Sequence, residues 1–389
     1  MQPKERFYER RGALDLELKL CASMTLCLDS FRRWCLSAFA LCALGGCADA
    51  GYLLQALQGH LQVLQAAKPL EQWLDDERTP AALQQRLLLA QRLRAFAVSD
   101  LGLPDNASYH RYADLQRSAV VWNVVAAPAY SLTLKTWCFP IAGCIGYKGY
   151  FDEDQARAES QRLQAQGWEV SVYGVPAYST LGWMNWAGGD PLLNTFIRYP
   201  EGELARMIFH ELAHQLLYVQ DDTVFNESFA TAVEHLGAQR WLTARGSPEA
   251  QREYAELDTR RQQFRALART TRQALEILYG GTGVAAQDEA QRTELKQRAL
   301  QDFREHYARL KPNWGGYAGY DAWVAKANNA SFGALAAYDE LVPGFEALFR
   351  ANGQDWPGFY DAVRRLARLP KQERTQTLKQ LTSPEAARG

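Results

Sequence analysis

The 389-residue sequence has no excess of charge of one sign, since 43 basic and 44 acidic side chains leave a formal net charge of −1. It also has no run of basic residues interleaved with aromatic residues. Proteins that bind nucleic acid concentrate positive charge on one surface, so no nucleic-acid partner is indicated. The composition, 47% hydrophobic and 22% charged, is that of a globular protein with a sizeable core.

No apolar run reaches the roughly 20 residues that are needed to cross a bilayer. A shorter uncharged run extends from Trp34 to Leu44, after the basic pair Arg32 and Arg33. The small residues Gly45 and Gly46 follow it. A basic patch, a short apolar stretch and small residues before a cleavage point predict a secretory signal.

Cys47 directly follows Leu-Gly-Gly, and this arrangement resembles the bacterial lipobox. The resemblance implies that residues 1–47 are a signal peptide with a lipobox and that Cys47 is acylated as the new N-terminus. Acyl chains would then anchor a soluble domain to a membrane. Acidic residues before Met24 are unusual in a signal, so Met24 is an alternative start. The competing interpretation is a buried N-terminal helix with an incidental cysteine.

Ala48, rather than Asp, follows the lipobox cysteine. By resemblance to Gram-negative lipoproteins, this residue implies a lipid-anchored protein of the cell envelope, at the outer membrane and facing the periplasm. The periplasm is oxidising, so Cys138 and Cys144 are predicted to form a short-loop disulfide. A pair of buried free thiols is the alternative. Two cysteines alone do not supply the four ligands of a structural zinc site.

Sequence patterns predict an α+β fold that is mostly α-helical. Leucines at three- and four-residue spacing predict N-terminal helices over 48–100. Within 101–240, β-branched and aromatic segments flank a helix that ends before Gly167, which predicts a small mixed sheet with a crossover helix. Residues 241–389 are rich in Ala, Arg, Gln and Glu and are predicted to form a helical C-terminal subdomain.

The motif that carries chemistry is His210-Glu211-Leu212-Ala213-His214 within an apolar segment without a helix breaker. Residues four apart share one helix face, so the two imidazoles can bind one zinc ion. Glu211 lies beside them, where its carboxylate can accept a proton from the attacking water. Burying these groups is costly unless a metal pairs them. The alternative is a chance pattern with two exposed histidines on a helix.

A catalytic zinc site needs a third protein ligand. Glu227 begins a second apolar-patterned helix and is the preferred candidate; Asp222, Glu234 and His235 are the alternatives. Glu234, two turns beyond Glu227, is predicted to hydrogen-bond a ligating histidine. The competing interpretations of the two glutamates are a helix-start charge and a surface charge. Gln220 stands where a metzincin has its third histidine.

His-Glu-x-x-His followed by Asn226-Glu227-Ser-Phe-Ala resembles the gluzincins, such as thermolysin and the aminopeptidase-type enzymes of that clan. The resemblance implies a zincin-like fold with the sheet beside the active-site helix. It also implies zinc binding by His210, His214 and Glu227, with Glu211 as the base. One departure is that only 12 residues separate His214 from Glu227, fewer than in the usual gluzincin, so the connecting loop must be tight.

A closer resemblance covers nearly the whole chain after Cys47, to a family of bacterial lipoproteins described as predicted aminopeptidases. It implies a peptide substrate and a zincin-like catalytic core over 101–240. The alternatives are a zinc endopeptidase and a non-catalytic envelope lipoprotein that holds zinc. The segments that carry the resemblance are 103–109, 122–124, 137–140, 174–183 and the two helices of the metal motif.

Two further features of such an enzyme are expected. By analogy with zincins in general, an edge strand over Tyr178, Ser179, Thr180, Leu181, Gly182 and Trp183 would pair with the substrate backbone. A tyrosine or histidine would stabilise the oxyanion. The sequence leaves several candidates for this second role, namely Tyr178, Tyr317, Tyr320, Tyr338 and His306.

Overall fold

The computed structural model describes residues 47–139, 143–177, 179–182, 185–280, 289–337 and 340–382. The chain divides into two compact units, residues 1–58 and 59–389. In the first unit the described residues belong to helix α1 (Cys47–Ala66), which continues into the second unit. The predicted signal residues before Cys47, the start at Met24 among them, lie outside the described residues.

Helices predominate before residue 100, as the leucine spacing predicts. Helix α2 (Leu70–Asp75) and helix α3 (Ala81–Ser99) are separated by a turn in which the Thr79 N–H donates to the Asp76 carbonyl. Pro80 precedes α3, and its fixed backbone angle suits the entry to a helix. The buried side of α3 carries Leu87, Leu93 and Phe96.

The predicted strand–helix–strand unit is present. Strand β3 (Val121–Ala127) is buried throughout and lies between β6 (Lys148–Tyr150) and β7 (Glu169–Val175), antiparallel to both. Helix α4 (Glu153–Gln164) makes the crossover between the outer strands. The Asp152 side chain accepts from the Gln155 N–H at its start, and Gly167 with φ 84° follows its end.

Short strands complete the β structure of the described residues. Strands β1 (Lys68–Pro69), β2 (Arg111–Ala113) and β8 (Leu192–Leu193) form a second small sheet in the order β1-β2-β8. Strands β4 (Trp137–Phe139) and β5 (Gly143–Ile145) form an antiparallel pair in which Cys138 is opposite Cys144. These strands are too short to bury much surface, so the helices supply most of the core.

Helices again predominate after Pro200, as predicted. The long helices are α5 (Glu201–Leu216), α6 (Thr223–Arg245), α7 (Pro248–Gly280) and α8 (Glu289–Leu310). Five shorter ones follow, namely α9 (Asp321–Lys326), α10 (Asn329–Ala337), α11 (Val342–Ala351), α12 (Trp356–Ala367) and α13 (Lys371–Gln380). None of the helices among the described residues combines the length and apolar character that crossing a membrane requires.

The main core joins residues that are far apart in sequence. Leu93 of α3, Phe209 of α5, Phe229 of α6 and Phe359 of α12 belong to one buried cluster. This cluster draws on all three predicted segments, 48–100, 101–240 and 241–389. A second cluster between α7, α8 and α10 is largely aromatic and is centred on Phe264, Phe303, Trp314 and Phe332. The metal motif lies on α5, inside the main core.

Candidate metal centre

Helix α5 holds the motif in a fixed orientation because one of its faces is in the core. Leu204, Ile208 and Leu212 are fully buried on that face. Glu201 and Glu203 in the first turn favour a helix start, since their charge offsets the helix dipole. The helix ends at Leu216, after which Leu217 is extended.

The tight loop between α5 and α6 is closed by Asn226. Its side-chain oxygen accepts from the Val219 N–H at 2.8 Å, and its amide donates to the Val219 carbonyl at 2.7 Å. Asp222 caps α6 by accepting from the Phe225 N–H, and Asp221 has φ 62°. Residues 217–222 therefore suffice to reverse the chain, and α5 and α6 pack along each other.

This packing brings His210, His214 and Glu227 together. The two Nε2 atoms are 3.1 Å apart, and Glu227 Oε2 lies 3.4 Å from that of His210 and 3.7 Å from that of His214. The point equidistant from these three atoms is about 2.0 Å from each, close to the bond lengths that zinc makes with imidazole nitrogen and carboxylate oxygen. Two nitrogens and one oxygen are also the donor set of many catalytic zinc sites. The three side chains therefore fit a zinc ion.

The three side chains are nearly buried, with 12%, 8% and 12% of their surfaces exposed for His210, His214 and Glu227. Burial by itself lowers the pKa of His210, but the carboxylates of Glu227 and Glu234 outweigh it and raise that pKa well above its ordinary value. For Glu227, burial raises the pKa, while His214 and His210 outweigh burial and lower it to about 2. In the absence of metal, these pKa shifts favour a protonated His210 beside an ionised Glu227.

Glu234 lies on the other side of the His210 ring, with Oε2 2.9 Å from Nδ1. The sequence predicts a hydrogen bond between Glu234 and a ligating histidine, and the two side chains lie within ion-pair distance. Its Oε1 accepts from Arg206, with Nε at 3.2 Å and a second, closer contact from the same guanidinium. Burial opposes ionisation, but Arg206 and His210 hold the pKa of Glu234 well below its ordinary value. Sequence reasoning missed Arg206, one helical turn before His210.

The other candidates for a third ligand lie elsewhere. Asp222 accepts from Arg374 Nε at 2.8 Å, in addition to capping α6. His235 lies between Glu234, at 3.8 Å, and Glu346, at 3.3 Å. Among the described residues, the grouping of potential metal ligands consists of His210, His214 and Glu227.

Glu211 is buried next to this group. Burial raises its pKa above the ordinary value, and His210 and His214 act in the opposite direction. Tyr109 and Asp190 are close enough to interact with its charge. A buried carboxylate with a raised pKa is a better proton acceptor than an exposed one.

The segment predicted as a substrate-binding edge strand is not a strand in its described part. Ser179 and Thr180 have no regular structure, and Leu181 and Gly182 form a turn with φ of 54° and 77°. These left-handed backbone angles are incompatible with extended pairing. Tyr178 and Trp183 lie outside the described residues.

The same segment nevertheless lies against α5. The Gln215 side chain donates to Asp190 Oδ2 at 3.0 Å, and the same oxygen accepts from the Thr180 N–H at 3.1 Å. Asn106 donates to the Gln215 side-chain oxygen at 2.7 Å. A buried polar network therefore ties this turn to the residue that follows His214.

The described candidates for oxyanion stabilisation have their contacts away from the candidate metal ligands. Tyr317 and Tyr320 pack against the aromatic cluster, and Tyr320 stacks on Phe264 at 4.0 Å. His306 is exposed, with its Nδ1 2.8 Å from the Asp302 carbonyl. Tyr338, like Tyr178, is outside the described residues.

Three tyrosines that sequence reasoning did not select face the group instead. Tyr147, Tyr173 and Tyr218 interact with the charge of Glu227. Burial is the largest cause of the raised pKa of Tyr147 and of Tyr218, and the Glu227 charge is the next largest. Burial and Glu227 also raise the pKa of Tyr173, to about 12, although a hydrogen bond with Asn123 opposes them. No motif marks these residues, because strand pairing and the α5–α6 loop bring them together.

Cys138 and Cys144 form a disulfide across β4 and β5. The Cys144 N–H donates to Asp221 Oδ1 at 2.6 Å. The disulfide hairpin is therefore joined to the loop between the two helices that carry the candidate ligands. Cys47, the predicted lipidation site, begins α1, and its acylation remains a prediction.

Comparison with curated proteins and with solved structures gives no match. Comparison with family models matches residues 51–378 to a family described as "Putative aminopeptidase". The family name indicates peptide hydrolysis, and it agrees with the resemblance of the sequence. Because the match spans well over half of the chain, this protein belongs to the putative aminopeptidase family.

Proposed function

We propose that the protein is a zinc-dependent peptidase of gluzincin type, with a zincin-like arrangement of α5 and α6. His210, His214 and Glu227 would hold one Zn²⁺ ion, and Glu211 would act as general base. The observation that carries the proposal is that the three donor atoms are equidistant from one point at about 2.0 Å, beside a buried glutamate.

In this proposal each residue has a defined task. A bound zinc ion supplies a Lewis acid that activates a water molecule and polarises the scissile carbonyl. Glu211 accepts the proton of the attacking water and passes it to the leaving amine. Glu234 Oε2 lies 2.9 Å from Nδ1 of His210, and a hydrogen bond from that nitrogen would present Nε2 to the metal position. The buried setting keeps bulk water from competing for the carboxylates.

Replacement of Glu211 by Gln tests the mechanism. The amide keeps the size of the side chain but cannot accept the proton, so kcat is expected to fall by about 10²- to 10⁴-fold. Glu201→Gln is a matched control on the same helix, since Glu201 accepts a hydrogen bond from Trp241 and the amide oxygen retains it. Both variants should retain zinc and wild-type stability. Full activity of Glu211→Gln would show that the assigned base is wrong.

The family name favours release of N-terminal residues over internal cleavage. An aminopeptidase requires a free amino terminus, whereas an endopeptidase does not. Paired peptides with free and acetylated N-termini, assayed with and without a zinc chelator, distinguish the two activities. Cleavage of neither peptide by folded, zinc-loaded protein would favour a non-catalytic zinc lipoprotein.

We also propose that the protein is lipid-anchored through Cys47 in a bacterial envelope, at the outer membrane and facing the periplasm. The Cys138–Cys144 disulfide supports an exported location, because disulfides persist in oxidising compartments. Mass spectrometry of protein from a bacterial host expressing the full chain should find an acylated N-terminal Cys47. Cys47→Ser should abolish acylation, whereas Cys42→Ser, the matched control in the signal segment, should not.

A further inference from the structure

A pocket of about 350 Å³ lies against the start of α6, the helix that carries Glu227. This volume is at the lower end of the range for small-molecule sites. Its walls come from the β6-β3-β7 sheet, the β4–β5 region, the start of α6 and helix α10. The apolar and aromatic side chains that line it include Val125, Leu134, Tyr147, Tyr173, Val224 and Ala334.

The position of the pocket is defined by α6. Thr223 lines the pocket, and Glu227 is four residues further along the same helix. Four residues advance a helix by about 6 Å and return to the same face. Tyr147 and Tyr173 line the pocket and also interact with the charge of Glu227. The pocket therefore reaches to within one helical turn of Glu227 along this helix.

The charged groups around the pocket are already engaged with partners. Arg272 pairs with Glu276 at 2.9 Å, and Glu340 pairs with Lys379 at 2.7 Å. Lys371 donates to the Asp221 carbonyl at 3.0 Å.

The Asp221 carboxylate is occupied as well, since its Oδ1 accepts from the Cys144 N–H. Each charged side chain of the described lining thus has a partner, although Nε of Arg272 has none of its own. The remaining lining is mostly apolar and aromatic and also includes Thr133, Thr136 and Thr223. A neutral, apolar group would be recognised here in preference to a charged one.

We infer that this pocket binds a large apolar side chain of the peptide substrate, from a residue that flanks the scissile bond. The inference rests on the proposed peptidase function. Burial of a leucine or phenylalanine side chain would favour such peptides over those with aspartate or lysine by about 10- to 100-fold in kcat/KM.

Filling the pocket tests the inference. Ala334 on α10 is partly exposed to the pocket, so Ala334→Phe should occupy it. The matched control is Ala325→Phe on α9, where the alanine is exposed and outside the lining. Purified zinc-loaded protein would be assayed with peptides carrying Leu, Phe, Ala, Lys or Asp on either side of the scissile bond. Ala334→Phe should lose the preference for Leu and Phe, and Ala325→Phe should keep it.

Introducing a charge gives a second test. Ala334→Asp should weaken cleavage of Leu and Phe peptides and improve that of Lys peptides. Binding of uncleaved Phe and Lys peptides to Glu211→Gln, measured by calorimetry, provides a readout apart from turnover. Glu211→Gln should bind the Phe peptide more tightly, and adding Ala334→Asp should reverse the order.

The outcomes separate the two proposals. If no peptide is cleaved but Glu211→Gln binds Phe peptides in a manner that depends on Ala334, the peptidase proposal fails and the pocket assignment stands. If peptides are cleaved with equal kcat/KM for apolar and charged residues at both positions, the pocket assignment fails. An unchanged preference for Leu and Phe peptides in both Ala334 variants would also overturn the pocket assignment.

Discussion

The two sides of the candidate metal centre differ in how their polar groups are organised. Behind His210, Glu234 and Arg206 begin a buried network of charges that continues to Glu203, Asp258 and Arg261. On the side of Glu227, Tyr147 and Tyr173 line a largely apolar pocket and also interact with the charge of Glu227. A fixed charge network holds an imidazole in one orientation, whereas neutral walls accept a ligand without an ionic partner. Under the proposed function, the first side would hold the metal and the second would bind substrate.

The largest expected effect on zinc affinity comes from removing a charged group of the network behind His210. Arg206→Met leaves Glu234 buried without its guanidinium partner, so zinc affinity is expected to fall by about 10- to 100-fold. Arg206→Lys, which keeps the positive charge, should retain part of the zinc affinity. Competition with a fluorescent chelator measures the affinity.

Arg261→Met is the matched control for this variant. Arg261 belongs to the same network but pairs with Glu203 and Asp258 instead of Glu234, so its loss should reduce stability without changing zinc affinity. Equal loss of zinc affinity in Arg206→Met and Arg261→Met would mean that the network acts through stability alone.

The pH dependence of zinc binding sharpens the same contrast. The pKa of His210 in the metal-free protein is raised above 6.5, so its proton stabilises the metal-free fold below that pH. This contribution is lost as the pH rises through the raised value, and zinc binding must displace the proton. Zinc affinity should therefore increase with pH above 6.5, by about tenfold per unit for one released proton.

Glu234→Gln should move this dependence to lower pH, because it removes one of the anions that raise the pKa of His210. Calorimetric titrations in buffers of different ionisation enthalpy count the protons released. Zinc affinity that is independent of pH between 6 and 9 would contradict the assignment of His210.

The smallest effect on zinc affinity is expected from a change on the pocket side. Cys138→Ser with Cys144→Ser opens the short disulfide loop and should lower the free energy of unfolding by about 2 kcal/mol. Zinc affinity should not change, because the candidate ligands lie on α5 and α6. Urea unfolding and zinc titration of the double variant measure both quantities. A loss of zinc affinity comparable with that of Arg206→Met would remove the distinction between the two sides.

Local patterns were sufficient for several parts of the molecule. Helical periodicity alone predicts that His210 and His214 share a face, and the acidic start and glycine stop of α4 are visible in the sequence. The sequence favours Glu227 as the start of the next helix; that helix begins four residues earlier, at Thr223, so Glu227 lies in its second turn, and the loop is as tight as the short spacing requires.

Contacts between distant segments were not predictable in the same way. The sequence offers Asp222 as an alternative ligand, but Asp222 pairs with Arg374, which lies far along the chain. Arg206 stands in an ordinary helical segment, and only the packing of α5 on α6 brings it to Glu234. Analogy with zincins predicts an edge strand over this segment, and such an analogy does not reveal the positive φ angles of Leu181 and Gly182.

Zinc stoichiometry of the purified protein tests the central claim most directly. Elemental analysis should find one zinc ion per chain in the wild type and none in His210→Ala or His214→Ala. His306→Ala, which changes an exposed histidine on α8, should retain one. Folded wild-type protein without zinc after reconstitution at neutral pH, or full zinc content in His210→Ala and His214→Ala, would contradict the account.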